Sequence, residues 1–297
     1  MDGVGHFPVL LDEVVGGLAR GGERVLVDCT VGLGGHAAAL LEAAGDEAVL
    51  IGIDLDEPNL LQTKKALARF GGRVRLFEAN FADLPAVLAE AGVDAADAIL
   101  ADLGVASSQL DDPARGFSFQ ADGPLDMRYR RDGPTAADWV NTLGEAELAD
   151  VFYRHGQERH SRRIARAIVR ARGRERIERT GQLARIIASA MPGPRRRRRI
   201  HPATRCFMAL RAALNAEAES LQKLLEAIDG ALSVGGRAGI ISFQSIEDRL
   251  VKRSFASLAS AGTHRLVTPK PVRAGRAENE RNPRSRSARL RIIERIR

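Results

Sequence analysis

The sequence predicts an α/β fold in which a Rossmann-like parallel sheet is interrupted by an all-helical insertion. The first hundred residues alternate short, apolar, β-branched runs with helical segments. A stretch from Thr135 to about Leu214 then has helical character throughout, and strand-like sequence returns at Gly236. Strands separated by helices in this way indicate βαβ units with right-handed crossovers. The insertion therefore falls between the fourth and fifth strands of one sheet.

The first part of the chain contains four predicted strands and the helices between them. Each strand is a short apolar run, and each helix repeats apolar side chains at helical spacing. Pro58 falls in the first turn of its helix, where proline is well tolerated. In order, the predicted elements are helix Leu10–Leu18, strand Arg24–Val27, helix Gly35–Ala44, strand Ala48–Ile53, helix Pro58–Phe70, strand Arg73–Phe77, helix Leu84–Ala91 and strand Ala96–Leu100.

The pattern changes after the fourth strand. Glycines, prolines and charges without a clean period occupy residues 104–133, and helices then follow one another before the sheet resumes. These later elements are helices Ala136–Leu143, Glu145–Tyr153, Arg159–Arg172, Thr180–Ala190 and one long helix from about Pro202, then strand Gly236–Phe243, helix Ile246–Ala259 and strands near His264–Thr268 and Ala288–Ile293. We predict a discontinuous sheet domain, residues 1–110 and 215–297, around an insertion over residues 111–214.

The composition indicates a globular cytoplasmic protein. Of 297 residues 44% are hydrophobic, and no apolar run approaches the length of a membrane helix. The N-terminus lacks the basic and apolar regions of a signal peptide. The two cysteines, Cys29 and Cys206, are far apart, which argues against a disulfide framework or a cysteine-based zinc site. No His/Asp/Glu group has metal-ligand spacing, so we predict no metal.

The formal net charge of +7 conceals two opposed halves. Residues 1–148 contain 11 Lys+Arg and 25 Asp+Glu, whereas residues 149–297 contain 34 and 13. Between Arg154 and Arg199 alone there are 16 arginines and three glutamates. A sign split of this size suggests that one face of the protein meets a polyanion, although a charge run is also typical of a solvated helix face.

A glycine-rich turn follows the first strand and opens a helix. Gly32-x-Gly34-x-x-Ala37 fits the pattern for nucleotide cofactors, and Asp54 lies at the end of the second strand, where an acid accepts hydrogen bonds from a ribose. NAD and S-adenosylmethionine both contain an adenosine ribose, so this motif alone does not choose between them. A helix cap or a turn residue is the alternative without a ligand, both for Asp54 and for Asp28 at the end of the first strand.

Two further carboxylates favour S-adenosylmethionine. Asp28 ends the first strand just before the glycines, where it would face a pyrophosphate unfavourably but suits a cationic ligand. Asp102 follows the fourth strand, at the edge of the sheet where ligands bind in open α/β folds. Three acids at three strand ends are typical of a site for a positively charged nucleoside cofactor.

Several longer blocks resemble one known family, that of ribosomal RNA small-subunit methyltransferase H, also called RsmH or MraW. The resemblance covers nearly the whole chain. The blocks, in family order, are His6-Phe-Pro-Val-Leu-Leu-Asp-Glu13, Asp28-Cys-Thr-Val-Gly-Leu-Gly-Gly-His36, Asp102-Leu-Gly-Val-Ala-Ser-Ser-Gln-Leu-Asp111, Arg115-Gly-Phe-Ser-Phe119, Asp122-Gly-Pro-Leu-Asp-Met-Arg128, His201-Pro-Ala-Thr-Arg205, Ile241-Ser-Phe-Gln-Ser-Ile-Glu-Asp-Arg249 and Asn282-Pro-Arg-Ser-Arg-Ser287.

The resemblance implies a class I methyltransferase that uses S-adenosylmethionine to methylate the N4 amine of one cytidine in the decoding region of 16S rRNA, in the small ribosomal subunit. It also assigns cofactor-binding positions, which in this sequence are Gly34, Gly35, His36, Asp54, Phe81, Asp102 and Gln109. The chain departs from the family at Gln244, where His is usual. A supporting hydrogen bond could survive that change, but proton transfer at this position could not.

The chemistry implied by the resemblance needs an acceptor for the amine and a surface for the base. Asp102 is the candidate catalytic residue, with cofactor binding alone as its other role, and a backbone carbonyl of the following Leu-Gly-Val is the alternative acceptor. A modified base has to be extruded and stacked, and Phe117 and Phe119 are candidates for this contact unless they only form a hydrophobic plug over the sheet. His201 precedes a proline and is expected to cap or pack.

The basic stretch is the candidate RNA contact. Guanidinium groups bind phosphates bidentately and stack on unpaired bases, so we predict RNA docking by Arg195, Arg196, Arg197, Arg198 and Arg199. The alternative that the flanking prolines suggest is a flexible loop without a ligand. Two other functions remain open from the residues alone. One is an NAD-dependent oxidoreductase, and the other is a non-enzymatic RNA-binding assembly factor. The sequence also leaves open whether the chain forms a homodimer.

Overall fold

The computed structural model describes residues 7–192 and 201–297, and seven strands within these ranges form one sheet. Their order across the sheet is β3-β2-β1-β4-β5-β7-β6. The first five strands are parallel, and β7 runs antiparallel to both β5 and β6. The strands are β1 Val25–Asp28, β2 Val49–Asp54, β3 Val74–Glu78, β4 Ala96–Asp102, β5 Leu232–Ser242, β6 His264–Leu266 and β7 Arg289–Arg295.

The helices of the described residues differ in length from one to four turns. None of them is long and apolar enough to cross a membrane. They are α1 Leu11–Leu18, α2 Gly35–Ala44, α3 Glu57–Ala66, α4 Leu84–Glu90, α5 Ser107–Asp111, α6 Ala136–Thr142, α7 Glu145–Arg154, α8 Ser161–Arg172, α9 Thr180–Ala190, α10 Ala203–Leu214, α11 Glu217–Ala231, α12 Ser245–Ser260 and α13 Arg276–Arg281.

The sheet is covered on both faces, because side chains alternate along each strand. Val27, Ile51 and Ile99 point into one apolar layer, which also contains apolar side chains of α4, α11 and α12. Their neighbours Leu26 and Leu50 point into the opposite layer, with side chains of α1 and α2. Strands buried on both faces explain the nearly continuous apolar runs in the sequence.

The chain divides into two compact units, Met1–Gly104 with Glu219–Arg297, and Val105–Ala218. We call them the sheet unit and the helical unit. The helical unit has a core of its own, built from α6 to α10 around Phe152, Ile164 and Leu210. The predicted α/β sheet with a helical insertion between its fourth and fifth strands is therefore confirmed.

Local differences from the predicted elements have conformational causes. Helix α3 ends at Ala66 rather than Phe70, and the chain continues in 3₁₀ turns through Gly71, whose φ is +57°. The long helix predicted from about Pro202 is two helices, because Ala216 between them has a φ of +49°. The sequence predicts that the fifth strand begins at Gly236, whereas β5 begins at Leu232. The strand can include the glycines at 235 and 236 because a bulge shifts the pairing with β4 between Ala96 and Ala98. The short helices α5 and α13 are not predicted by the sequence.

Candidate functional site

Three carboxylates end three adjacent strands of the sheet unit. Asp28, Asp54 and Asp102 are the last residues of β1, β2 and β4, and β1 lies between the other two strands. Parallel strands bring these ends to the same edge of the sheet. The structure therefore brings together the three acids that the sequence identifies.

The Asp28 and Asp102 ends are held together by Thr30. The backbone N–H of Thr30 donates to Oδ1 of Asp28 at 3.1 Å. The Thr30 hydroxyl oxygen accepts the backbone N–H of Asp102 at 2.7 Å. One short side chain thus fixes the relative position of the two strand ends.

The glycine turn is held by the third acid. The N–H of Gly32 donates to Oδ2 of Asp54 at 2.9 Å, and the hydroxyl of Thr63 donates to the Gly32 carbonyl. Gly34, the residue before α2, has a φ of +82°, which favours glycine. A Cβ at Gly35 would lie only 2.5 Å from Cγ of Pro8. The glycines at positions 34 and 35 are therefore required by backbone conformation and by close packing respectively.

Burial makes the charged forms of these acids costly. Desolvation raises the pKa of Asp28 from 3.8 to about 6, against the opposing effects of His36 and the Thr30 hydrogen bond. It also raises the pKa of Asp54 to about 6 and raises the pKa of Asp102. Buried carboxylates are retained where an opposite charge can meet them. The strand-end acids therefore suit a cationic ligand.

His36, in the first turn of α2, is positioned by the N-terminal segment. Its ring is buried, and Nε2 donates to the carbonyl of Val9 at 2.9 Å. Nδ1 then faces Oδ2 of Asp102 at 4.0 Å. This arrangement makes His36 an electrostatic neighbour of Asp102 and fixes its ring orientation.

One carboxylate oxygen of Asp102 is buried, and the N–H of Gly104 is the backbone group that favours the charged form of this carboxyl by lowering its pKa. Oδ1 is buried and has no hydrogen-bond partner within the described part of the chain. A Cβ built on the exposed Gly104 would lie 3.5 Å from this oxygen and 3.0 Å from Cε2 of Phe243. The space over Gly104 is thus bordered by an acceptor and by an aromatic ring.

Phe81 and Gln109 occupy different units. Phe81 begins a 3₁₀ turn after β3 and packs, partly buried, against the core of the sheet unit. Gln109 lies in α5 of the helical unit, where it is buried and its Oε1 accepts the N–H of Ala106 at 3.2 Å. Their predicted contacts with the cofactor remain predictions.

Gln244 stands immediately before α12. Its backbone N–H and that of Phe243 both donate to Oε2 of Glu247 at 2.9 Å. This carboxylate satisfies N–H groups at the start of the helix. Glu247 therefore holds the backbone at position 244, whether the side chain there is the Gln of this chain or the His that is usual in the family.

The two candidate stacking rings of the helical unit differ in burial. Phe117 is 7% exposed and stacks on Tyr129, with ring centroids 5.4 Å apart. Phe119 is half-buried and meets Phe207 edge to face at 4.8 Å. His201 contacts Phe119, and its Nδ1 accepts the N–H of Ala203 at 3.2 Å. His201 thus caps α10, as the sequence predicts.

Other predicted features have simpler outcomes. Arg195–Arg199 lie outside the described residues. Cys29 and Cys206 are buried free thiols. Within residues 7–192 and 201–297 no group of three His, Cys, Asp or Glu side chains could hold a metal ion.

Sequence reasoning misses Thr30, Val9 and Phe243. Their roles depend on contacts between segments far apart in the chain. A signal exists for two of them, because Thr30 follows Asp28 and Phe243 follows β5 at the same edge of the sheet. The bond from His36 to the Val9 carbonyl has no comparable sequence signal.

Comparisons with known proteins agree on one family. The profile of the MraW methylase family matches residues 3–296. Ribosomal RNA small subunit methyltransferase H of Geobacter sp. (strain M21) is 45% identical over 312 residues, which cover all of both chains. The enzyme of that name from Syntrophobacter fumaroxidans is 47% identical, covering 97% of this chain and 96% of its own. That from Methylobacterium sp. (strain 4-46) is also 47% identical, covering 99% and 92%.

Proposed function

Because this chain belongs to the MraW methylase family, we propose that it transfers a methyl group from S-adenosylmethionine to the N4 amine of one cytidine in the decoding region of 16S rRNA. The chain is a class I methyltransferase of small-subunit ribosomal RNA that depends on S-adenosylmethionine. The family decides between the two nucleotide cofactors that the glycine motif allows. The cytidine, its N4 atom and its place in the RNA are the proposed part.

The residues at the strand ends fit this cofactor. The buried Asp28 and the half-buried Asp102 offer carboxylates to a cationic ligand, and the buried Oδ1 of Asp102 still has an acceptor position to offer. Gly34 precedes α2 and Gly35 begins it, so a bound group could meet the backbone N–H groups at the start of this helix, and Asp54 is the acid suited to ribose hydroxyls. We propose that these residues bind the cofactor together with His36, Phe81 and Gln109.

S-adenosylmethionine supplies an activated methyl group on a sulfonium. The cytosine amine is a weak nucleophile, since its lone pair is delocalised into the ring. The main task of the protein is therefore to align the amine, and good alignment can contribute up to about 7–11 kcal/mol. A hydrogen-bond acceptor at the amine would help by localising the lone pair.

The observation that carries the proposal is the unpaired Oδ1 of Asp102 beside Gly104 and Phe243. An exocyclic amine has N–H groups to donate, and Oδ1 is a buried acceptor that needs one. Burial raises the pKa of Asp102, so this carboxyl holds a proton more tightly than an exposed aspartate once it has accepted one. We propose that Asp102 accepts a hydrogen bond, and then a proton, from the amine.

Aromatic contacts are proposed for the extruded base. The deep burial of Phe117 in the helical core favours Phe119 of the two sequence candidates. Phe243 is a further candidate, because its ring borders the same space over Gly104 as Asp102. Gln244 cannot transfer a proton, so we give it no acid or base role.

The helical unit is proposed to recognise the RNA substrate. Its sequence is strongly basic, and Arg195, Arg196, Arg197, Arg198 and Arg199 remain candidates for phosphate contacts. Neutralising these five arginines should weaken RNA binding and flatten its dependence on salt. An unchanged salt slope would contradict their role.

The decisive experiment identifies the methylated nucleoside. Purified protein is incubated with isotope-labelled S-adenosylmethionine and small subunits from cells lacking the methylation, and the 16S rRNA is digested to nucleosides for mass spectrometry. We expect label in N4-methylcytidine and in no other nucleoside. Label in a different nucleoside would refute the N4 assignment and leave the methyltransferase itself intact.

Two variants of β4 provide the control. Asp102→Ala removes the proposed acceptor, whereas Asp97→Asn changes an acid at the opposite end of the same strand. We expect label to be lost only with Asp102→Ala. Binding of subunits without any transfer by the unaltered protein would instead favour the non-enzymatic assembly factor.

A further inference from the structure

A groove between α8 and α9 of the helical unit is lined by arginines. Arg162, Arg163, Arg166 and Arg170 come from α8 and Arg185 comes from α9. All five are exposed, and half-buried Ala167 and Ile186 form part of the surface between them. The groove has a volume of about 830 Å³, and no acidic residue lines it. Its size and charge are suited to an extended anion rather than to a single small ion.

The arginines on α8 form a row. Arg162, Arg166 and Arg170 are spaced four residues apart, which places them on one face with a rise of about 6 Å between neighbours. Like charges at this spacing destabilise a helix. The row is therefore an electrostatic cost to the protein alone, and an anion along the groove would remove it.

The position of the row within the helix adds to that cost. Arg162 and Arg163 lie in the first turn of α8, which has no acidic residue. The N-terminal end of a helix carries partial positive charge and favours acids. Basic side chains at this end are the opposite of what helix stability selects, whereas both the side chains and the helix end attract an anion.

Most of these arginines are not neutralised within the chain. Among the described residues, Arg162, Arg163 and Arg170 have no carboxylate within ion-pair distance, and only Arg166 of the row has one, Glu145 at 3.2 Å. Three other exposed arginines of the helical unit differ in this respect and serve below as the matched control. Arg130, Arg154 and Arg176 each pair with an aspartate.

We propose that this groove binds the phosphate backbone of single-stranded RNA along the Arg162, Arg166 and Arg170 row. The inference rests on the proposed function, since it assigns part of the RNA contact to one surface. Guanidinium groups bind phosphates bidentately, and successive arginines on one helix face can meet successive phosphates. Such contacts position the RNA and do not read its sequence. The groove thus contributes affinity, and chemistry remains with the sheet unit.

The test measures how salt weakens RNA binding by the full chain. A fluorescently labelled single-stranded RNA of mixed sequence is titrated between about 50 and 200 mM salt. The variants are R162Q/R166Q/R170Q and the matched control R130Q/R154Q/R176Q, which removes the same charge from paired arginines. Each phosphate contact on single-stranded RNA contributes about 0.7 to the slope of log K against log salt, so the groove variant should lose about 2. The control should keep the slope of the unaltered protein.

A third variant separates charge from folding. R162K/R166K/R170K keeps the charge and should keep most of the slope, because lysine still meets a phosphate as a point charge. Equal slopes for the groove variant, the control and the unaltered protein would overturn the inference. The inference would also be overturned if R162Q/R166Q/R170Q lost binding to anionic phospholipid vesicles but bound RNA as the unaltered protein does. That result would favour a membrane surface as the ligand of the groove.

The outcome is separable from that of the methylation assay. Methylation by the unaltered protein together with an unchanged groove slope would refute only the groove. A slope lowered by the groove substitutions in a chain that methylates no RNA would support the groove and refute the proposed reaction.

Discussion

Replacing Asp28 by Asn should stabilise the ligand-free protein at neutral pH. Asp28 is 1% exposed, and desolvation raises its pKa from 3.8 to about 6. A rise of about two in pKa corresponds to about 3 kcal/mol of destabilisation once the group is ionised in both states. Asn keeps the acceptor for the N–H of Thr30 but buries an amide, which offsets about 1–2 kcal/mol of the gain. We therefore expect Asp28→Asn to raise the free energy of unfolding by about 1–2 kcal/mol at pH 7.5.

The gain should depend on pH in a defined direction. The pKa is raised by folding, so the native state holds the Asp28 proton more tightly than the unfolded chain. The cost of ionisation is thus fully present above about pH 6 and disappears as the pH falls from about 6 towards 4. The advantage of Asp28→Asn should shrink over that window. Urea unfolding of cofactor-free protein at pH 7.5, 6 and 5 measures it.

Asp97→Asn is the matched control, with the opposite expectation. Burial opposes ionisation there too, but hydrogen bonds from the Ser233 hydroxyl and the N–H groups of Val25 and Arg24 lower the pKa of Asp97 overall. Its carboxylate stabilises the fold above pH 4, so Asp97→Asn should destabilise by a constant amount from pH 7.5 to 5. The inference that desolvation of the Asp28 carboxylate destabilises the fold would be refuted by either of two results. One is a lower free energy of unfolding for Asp28→Asn at pH 7.5, and the other is a gain in that free energy that does not change with pH.

Three predictions, one of them with a control substitution, test the site and the helical unit. Asp102→Ala should weaken S-adenosylmethionine binding about tenfold or more in calorimetry, because it removes a buried charged acceptor; unchanged affinity with lost turnover would assign Asp102 to the chemical step alone. Gly34→Ala should lower the free energy of unfolding in urea by about 1–2 kcal/mol, because φ is +82° and the new Cβ crowds α3. The control Gly92→Ala, where φ is +65° and no atom lies within 4 Å of the new Cβ, should lower it less and leave cofactor binding intact. Glu217→Gln should cost about 2–3 kcal/mol, because Arg211, which is 13% exposed, loses its bidentate carboxylate; an unchanged unfolding midpoint would contradict that role.

The sequence predicts the sheet well because its strands are buried on both faces. Short apolar runs such as Val49–Asp54 are typical of a central parallel strand, and β1 to β4 each end on an acidic residue. The errors occur where backbone conformation decides the structure. Ala216 has a positive φ, which its residue type does not predict. The glycines at 235 and 236 lie in a bulge within β5 and not in a turn before it. Short helices such as α5 and α13 contain too few apolar repeats to give a period.

The sequence predicts the three acids of the candidate site but not the hydrogen bonds that they make. Parallel topology places strand ends together, so Asp28, Asp54 and Asp102 could be grouped from the sequence alone. Which of them keeps an oxygen unpaired depends on the contacts of individual side chains. Thr30 satisfies the Asp102 backbone and Asp54 satisfies Gly32, whereas Oδ1 of Asp102 is left without a partner. A pattern of residue types does not contain that distinction.

The division into units also changes what the charge of the chain indicates. By sequence, residues 1–104 have a formal charge of −10, residues 219–297 of +8 and the helical unit of +9. The acidic part contributes the strand-end carboxylates, whose burial protects their attraction for a cation from screening by salt. The groove arginines of α8 are exposed, so their attraction for a polyanion is screened. The cofactor and the RNA should therefore respond differently to ionic strength. That difference follows from burial, and the net charge of +7 gives no indication of it.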